Sequence, residues 1–197
     1  MKRVAVLVSG GGTNLQALLD AERRGELPHA KIALVAASND TAYALERARA
    51  ADVPAVAVAR RGFASADAFD EALLAVLQQH EADVVVLAGF LCILGPAVLG
   101  AYAGRILNIH PSLIPSFCGD GFYGLKVHEA ALARGVTITG ATVHLVNEIT
   151  DGGKILLQKA VPVLPGDTPE SLQKRVMEQA EWVLLPQAVE MLCAEMC

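Results

Sequence analysis

Cysteine is scarce and unpatterned in this chain. Its four copies, Cys92, Cys118, Cys193 and Cys197, form no CxxC pair and no zinc spacing. A disulfide framework and a cysteine-based zinc module are set aside on that ground, and reduced thiols in a cytoplasmic protein are expected. Charge is thin as well. Charged residues make up 19% and the formal net charge is −5, which argues against a general nucleic-acid binder but leaves room for a local phosphate site. No uninterrupted membrane span is present either. Val84 to Gly104 carries no charge and is long enough to cross a bilayer, but Gly89, Gly95-Pro96, Gly100 and Gly104 interrupt it. That stretch reads as a buried strand, a loop and a short helix. The start, Met1-Lys2-Arg3 then VAVLVS, mimics a signal peptide, but its apolar run is too short for one.

What the chain does have is apolar bulk. Hydrophobic residues are 53% of 197, so one domain of ordinary size with a real core is expected over residues 1–197. Val4 to Val8 is a continuous β-type run. Ser9-Gly10-Gly11-Gly12-Thr13-Asn14 follows, and Leu15, Leu18 and Leu19 then recur at helical spacing, with Thr13 or Asn14 available as N-cap. A strand, a glycine loop and a helix N-terminus make a natural phosphate seat, because backbone N–H groups crowd together there. No Lys-Ser/Thr follows the glycines, so this is not a Walker loop. Leu15 occupies the third glycine position of the dinucleotide fingerprint, which disfavours NAD.

Ile32 to Ala37, Pro54 to Val58, Val84 to Ala88 and Ile106 to Ile109 read as further strands. Helical signals lie between them, the clearest being the stripe Phe69, Ala72, Leu73, Val76, Leu77, with His80 at its end. Strands alternating with helices imply right-handed crossovers and a mostly parallel sheet. After a short helix near Lys126 to Arg134, Val136 to Val146 and Ile155 to Val163 are joined by too short a loop for a crossover, so antiparallel pairing is expected. Thr168-Pro169-Glu170 opens a long C-terminal helix that Pro186 is expected to kink or divide. The expected fold is therefore an α/β, three-layer domain with about seven strands. Helices cover both faces, and the C-terminal strands are partly antiparallel.

The segment RILNIHPSLIP, Arg105 to Pro115, is where chemistry concentrates. Alternation along a strand puts Asn108 and His110 on one face at a strand end, where open α/β sheets bind ligands. Asp151, before Gly152-Gly153, is the candidate acid. Imidazole, carboxamide and carboxylate together suit acyl transfer to an amine without a protein nucleophile. None of Cys92, Cys118, Ser112 or Ser116 has an activated nucleophile's context. Sequence spacing alone leaves open whether Asp151 returns to His110. The segment Ser116 to Gly124 reads as a mobile loop beside the site.

LNIHPSLIP, together with SGGGTNLQAL, VVLAGFLCIL and GATVHLVNEITDGGKILLQ, resembles the phosphoribosylglycinamide formyltransferases, over roughly residues 3 to 190. The resemblance implies transfer of a formyl group from 10-formyltetrahydrofolate to glycinamide ribonucleotide in purine (IMP) synthesis. It implies Asn108, His110 and Asp151 as the catalytic trio, and Gly12, Thr13 and Asn14 as the phosphate loop. It places Glu181 on the ribose. It implies a folate site at Leu91, Cys92, Ile93 and Leu94 together with Asn108, and Asn147 and Glu148 in a loop closing over the pteridine. His128 and His144 match family histidines. Cys92 and Ala66 stand where some relatives have arginine, and Leu145 replaces a common aromatic. Residues 1–104 would then be a phosphate-binding half and 105–197 the catalytic and folate-binding half. The implied partners are small molecules only, with no metal, nucleic acid or membrane, in a cytoplasmic monomer or homodimer. Two other readings stand beside this one: a related formyltransferase with a different amine acceptor, and a non-catalytic nucleotide-binding module.

Overall fold

The computed structural model describes all residues from Met1 to Cys197. Seven strands form one sheet in the order β3-β2-β1-β4-β5-β6-β7. They are β1 (Lys2–Val8), β2 (Ala30–Ala37), β3 (Ala55–Ala57), β4 (Val84–Leu87), β5 (Ile106–His110), β6 (Ile138–Leu145) and β7 (Ile155–Pro162). The first five run parallel. β6 and β7 are antiparallel, as expected from their short connection. The strand order turns back beside β1, with β2 on one side and β4 on the other, and that turning point opens a crevice at the carboxyl ends of the strands.

Helices α1 (Thr13–Arg23), α2 (Ala44–Ala50), α3 (Ala66–Gln79), α4 (Pro96–Ala101), α5 (Leu125–Arg134), α6 (Pro169–Val176) and α7 (Trp182–Glu195) complete the chain. Side chains on one face of β1, β2 and β4 (Val4, Val6, Ile32, Val35, Val84, Val86) join a core with Leu15 and Leu18 of α1 and Leu185 and Val189 of α7. The other face (Ala5, Leu7, Leu34, Val85) packs under Phe69, Leu73 and Leu77 of α3 and Val98 of α4. Burial on both faces explains why the central strands read as unbroken apolar runs. The stretch from Val84 to Gly104 is β4, a loop and α4, and no helix is long and apolar enough to cross a membrane.

Two expectations about helix ends need correction. The N-cap of α1 is Gly12, in the left-handed region at φ 72, and no side chain caps the helix. Thr13 is the first residue of the helix and Asn14 the second, so neither stands at the cap position, and Asn14 Oδ1, the atom a cap would use, has no partner. Pro186 lies within α7 and does not divide it. The discontinuity falls a turn earlier, in a π-helical turn at Met177–Glu181. Proline has no N–H to donate, so the carbonyl four residues before it loses its partner. That carbonyl belongs to Trp182, the first residue of α7, and the helix continues past it. The opening of α6 is as expected: Thr168 caps it and Pro169 is its first residue. Ser171 closes a reciprocal capping box.

Candidate active site

Asn108 and His110 stand on one face of β5, Asn108 opposite Leu87 of β4 and His144 of β6. The chain after β6 then turns back. Gly153 approaches the Leu145 carbonyl oxygen so closely that an added Cβ would sit 1.7 Å from it, and Asp151 itself takes a left-handed φ of 53. This tight return brings the acid onto the face that carries Asn108 and His110. Its Oδ2 lies 3.6 Å from His110 Nδ1 and accepts from the Gly119 N–H at 2.8 Å. Its Oδ1 lies 3.5 Å from His144 Nε2 and accepts from Asn108 Nδ2 at 3.3 Å. Burial is the largest influence on this carboxyl and pushes it up. Hydrogen bonding by His144 and the Gly119 N–H, with the nearby imidazoles, outweighs burial and holds Asp151 below the usual carboxylate range. It is a buried carboxylate ringed by donors.

The two histidines beside it are oriented by carbonyls. His144 Nδ1 donates to the Leu145 carbonyl at 2.8 Å, which leaves Nε2 facing Asn108 Nδ2 at 3.1 Å. His110 Nε2 donates to the Phe117 carbonyl at 2.9 Å, so Nδ1 is the nitrogen turned to Asp151. The loop after Pro115 thus touches two of the three catalytic candidates, His110 through Phe117 and Asp151 through Gly119. Within that loop, burial pushes the Cys118 thiol up and the charge of Asp151 adds to the effect, so it is held as the unreactive thiol. His128 is fully buried with neither ring nitrogen hydrogen-bonded. Burial, assisted by the charge of His110, pushes it down to about 4. It sits near His110 as a neutral ring.

The glycine loop lies on the same sheet edge, two strands from β5. No carbonyl oxygen of the protein accepts from the backbone N–H groups of Gly10 through Leu15, whereas the carbonyls of Gly10, Gly11 and Gly12 are all engaged. Asn14 is buried. Its Nδ2 donates to Glu181 Oε2 at 2.7 Å and its Oδ1 has no partner. Glu181, at the end of the π turn, is only 6% exposed. Burial pushes its carboxyl up to about 7 despite the opposing Asn14 bond. Thr13 Oγ1 approaches the Met177 sulfur at 3.7 Å. A cavity of about 260 Å³ flanks α1 between Thr13, Gln16, Arg47 and Trp182, and none of Asn108, His110 and Asp151 lines it.

The expected folate segment follows β4. Leu91 and Ile93 are exposed, Cys92 is half-buried and Leu94 is buried. Ser9 ties this segment to the glycine loop, its Oγ accepting from the Leu91 N–H at 2.9 Å and pairing with Ser38 Oγ at 2.6 Å. At the far end Asp70 of α3 accepts from the N–H groups of Gly95, Ala97 and Val98. Asn147 and Glu148 are exposed in the loop before Asp151, and the Asn147 side chain accepts from the Ile149 N–H. The structure therefore gathers Asn108, His110 and Asp151 into one cluster. It gathers Asn14 and Glu181 into a second, beside the glycine loop. Ser9, Asp70 and Arg47 carry no local sequence signal, because their partners are remote in the chain.

A family model described as formyl transferase matches residues 2–189. The chain belongs to the formyl transferase family. Within that family it is 42% identical over 190 residues to a phosphoribosylglycinamide formyltransferase of Haemophilus influenzae, covering 96% of this chain and 86% of that protein. It is also 42% identical to the trifunctional purine biosynthetic protein adenosine-3 of Homo sapiens, over 98% of this chain but 18% of that protein. The crystal structure of glycinamide ribonucleotide transformylase 1 from Symbiobacterium toebii superposes with a TM-score of 0.93 at 44% identity, covering 99% of this chain and 89% of that one. The formyl transferase fold and the α/β expectation thus agree.

Proposed function

We propose that this formyl transferase moves a formyl group from 10-formyltetrahydrofolate to the amine of glycinamide ribonucleotide, as a cytoplasmic enzyme of purine synthesis. The observation that carries the reading is the meeting of Asn108, His110 and His144 on a buried Asp151, on the same sheet edge as a run of unpaired backbone donors. The donors of Gly12, Thr13 and Asn14 suit a phosphate, a dianion placed at a helix N-terminus. Glu181, bonded to Asn14, is the group within this cluster suited to a ribose hydroxyl. The exposed apolar side chains Leu91 and Ile93, with Cys92, Leu94, Asn147 and Glu148, offer a wall for a pteridine. In this reading residues 1–104 supply the phosphate loop and the 91–94 wall, and residues 105–197 supply the reacting groups.

The reaction follows from those groups. The neutral glycyl amine attacks the formyl carbon on N10 of the folate, forming a C–N bond and a tetrahedral oxyanion. Asn108 Nδ2 and His110 donate to that oxyanion, which is the charge that appears only in the transition state. His110 Nε2 is the free-facing donor once the Phe117 carbonyl yields it. Asp151 orients the His110 ring through Nδ1, and takes part in carrying a proton from the attacking amine to N10 through water. The bond from the formyl carbon to N10 then breaks, releasing tetrahydrofolate. No step uses a metal ion. The deciding assay gives purified protein 10-formyltetrahydrofolate with either glycinamide ribonucleotide or water as acceptor. Formyl transfer to the ribonucleotide with negligible hydrolysis is expected, and hydrolysis at a similar rate would defeat the reading.

A further inference from the structure

We propose that Arg47 of α2 is a positioning residue for the phosphate loop, holding the glycine peptides so that their N–H groups face the substrate. This rests on the phosphate-loop reading above and adds to it a residue from a separate helix. The Gly10 carbonyl accepts from the Ala44 N–H at 3.1 Å, and the Gly11 carbonyl accepts from Arg47 Nε at 2.8 Å. In a trans peptide the N–H points opposite to the C=O of the same plane. Tying the Gly10 carbonyl to α2 therefore turns the Gly11 N–H away from α2, and tying the Gly11 carbonyl does the same to the Gly12 N–H. Those are two of the donors that find no acceptor within the protein.

Gly12 is packed against the same helix. It lies so near α2 that an added Cβ would stand 2.6 Å from Ala44 Cβ and 3.5 Å from Arg47 Cδ. The guanidinium is itself held, donating through Nη1 to Gln16 Oε1 at 2.9 Å and lying 5.1 Å from the Tyr43 ring centroid. It thus bridges the loop, the first turns of α1 and α2. Without it the Gly11–Gly12 peptide is free to flip, and a flipped peptide would present a carbonyl oxygen to the phosphate. The Ala44 bond alone cannot prevent that, because it fixes the preceding peptide plane.

Two variants separate orientation from charge. Arg47→Gln places an amide nitrogen at the same position along the side chain as Arg Nε, keeping a donor for Gly11 and losing the charge. Arg47→Met keeps the stem and loses both. With Arg47→Met, KM for glycinamide ribonucleotide should rise about tenfold, the equivalent of one charge-assisted hydrogen bond. The kcat and the KM for 10-formyltetrahydrofolate should stay within about twofold by the same reasoning. The inhibition constant of inorganic phosphate should rise in parallel, and kcat/KM for the dephosphorylated acceptor should not change. Arg47→Gln should recover most of the loss. An unchanged KM in Arg47→Met, an equal loss with the dephosphorylated acceptor, or a Gln variant as impaired as Met would each overturn the proposal. If the unaltered enzyme neither binds inorganic phosphate in competition with the ribonucleotide nor prefers the phosphorylated acceptor, the phosphate-loop reading itself fails.

Discussion

Folding carries the carboxyl of Glu181 from an ordinary value of 4.5 to about 7, because its side chain is sealed from water with one amide donor as partner. The sign of the resulting pH dependence follows directly. Below pH 4.5 the group is protonated in both folded and unfolded chains and contributes nothing. Between 4.5 and about 7 the unfolded chain ionises while the folded chain does not, so stability falls as pH rises. Above that the full cost is present, about 3 kcal/mol at 1.36 kcal/mol per tenfold change in acidity. Glu181→Gln has nearly the same shape and cannot ionise. Its carbonyl keeps the Asn14 Nδ2 bond. The variant should match the parent near pH 4.5 and exceed it at pH 8 by about 2–3 kcal/mol. Urea unfolding of both proteins at intervals from pH 4.5 to 8 measures this. A variant no more stable at pH 8 than its parent would refute the account of a sealed, weakly partnered carboxyl.

The reacting groups and the loop give three more expectations. His110→Ala and Asn108→Ala should each lower turnover by on the order of 10² to 10³ with the fold retained, measured by steady-state kinetics and circular dichroism. Asp151→Asn removes a carboxylate held below its usual range. The parent's stability from this group is present above the ordinary carboxylate value and is lost as pH falls through the lower folded one, so acid unfolding of the variant should lack that component. Gly12→Ala would put a Cβ on a φ 72 residue 2.6 Å from Ala44 Cβ. It should cost about 1–3 kcal/mol in thermal melts and raise KM for the phosphorylated acceptor.

Much of the layout was legible because it is local. Unbroken apolar runs mark strands covered on both faces, and all seven appear within a few residues of their expected ends. The antiparallel turn of β6 and β7 followed from a connection too short to cross over. Helix ends were less legible. Asn14 looks like a cap for α1, but a left-handed Gly12 starts the helix two residues earlier and leaves Asn14 inside the first turn. Pro186 looks like a break, but it falls in the second turn of α7, where the one carbonyl it leaves without a donor is that of Trp182, the helix's first residue.

At the site, the chain alone determined that Asn108 and His110 share a face, since alternation along a strand is a property of neighbouring peptides. It also determined that a glycine tract precedes a helix, which is enough to concentrate backbone donors. Only tertiary structure decided which acid meets the imidazole, because that depends on Gly153 pressing against the β6 backbone and turning Asp151 inward. Tertiary structure also decided that Arg47, remote in sequence, grips the Gly11 carbonyl and that burial holds Glu181 near neutrality. Side-chain direction is set by the nearest bonds, whereas solvation and pairing are set by whatever the fold brings alongside.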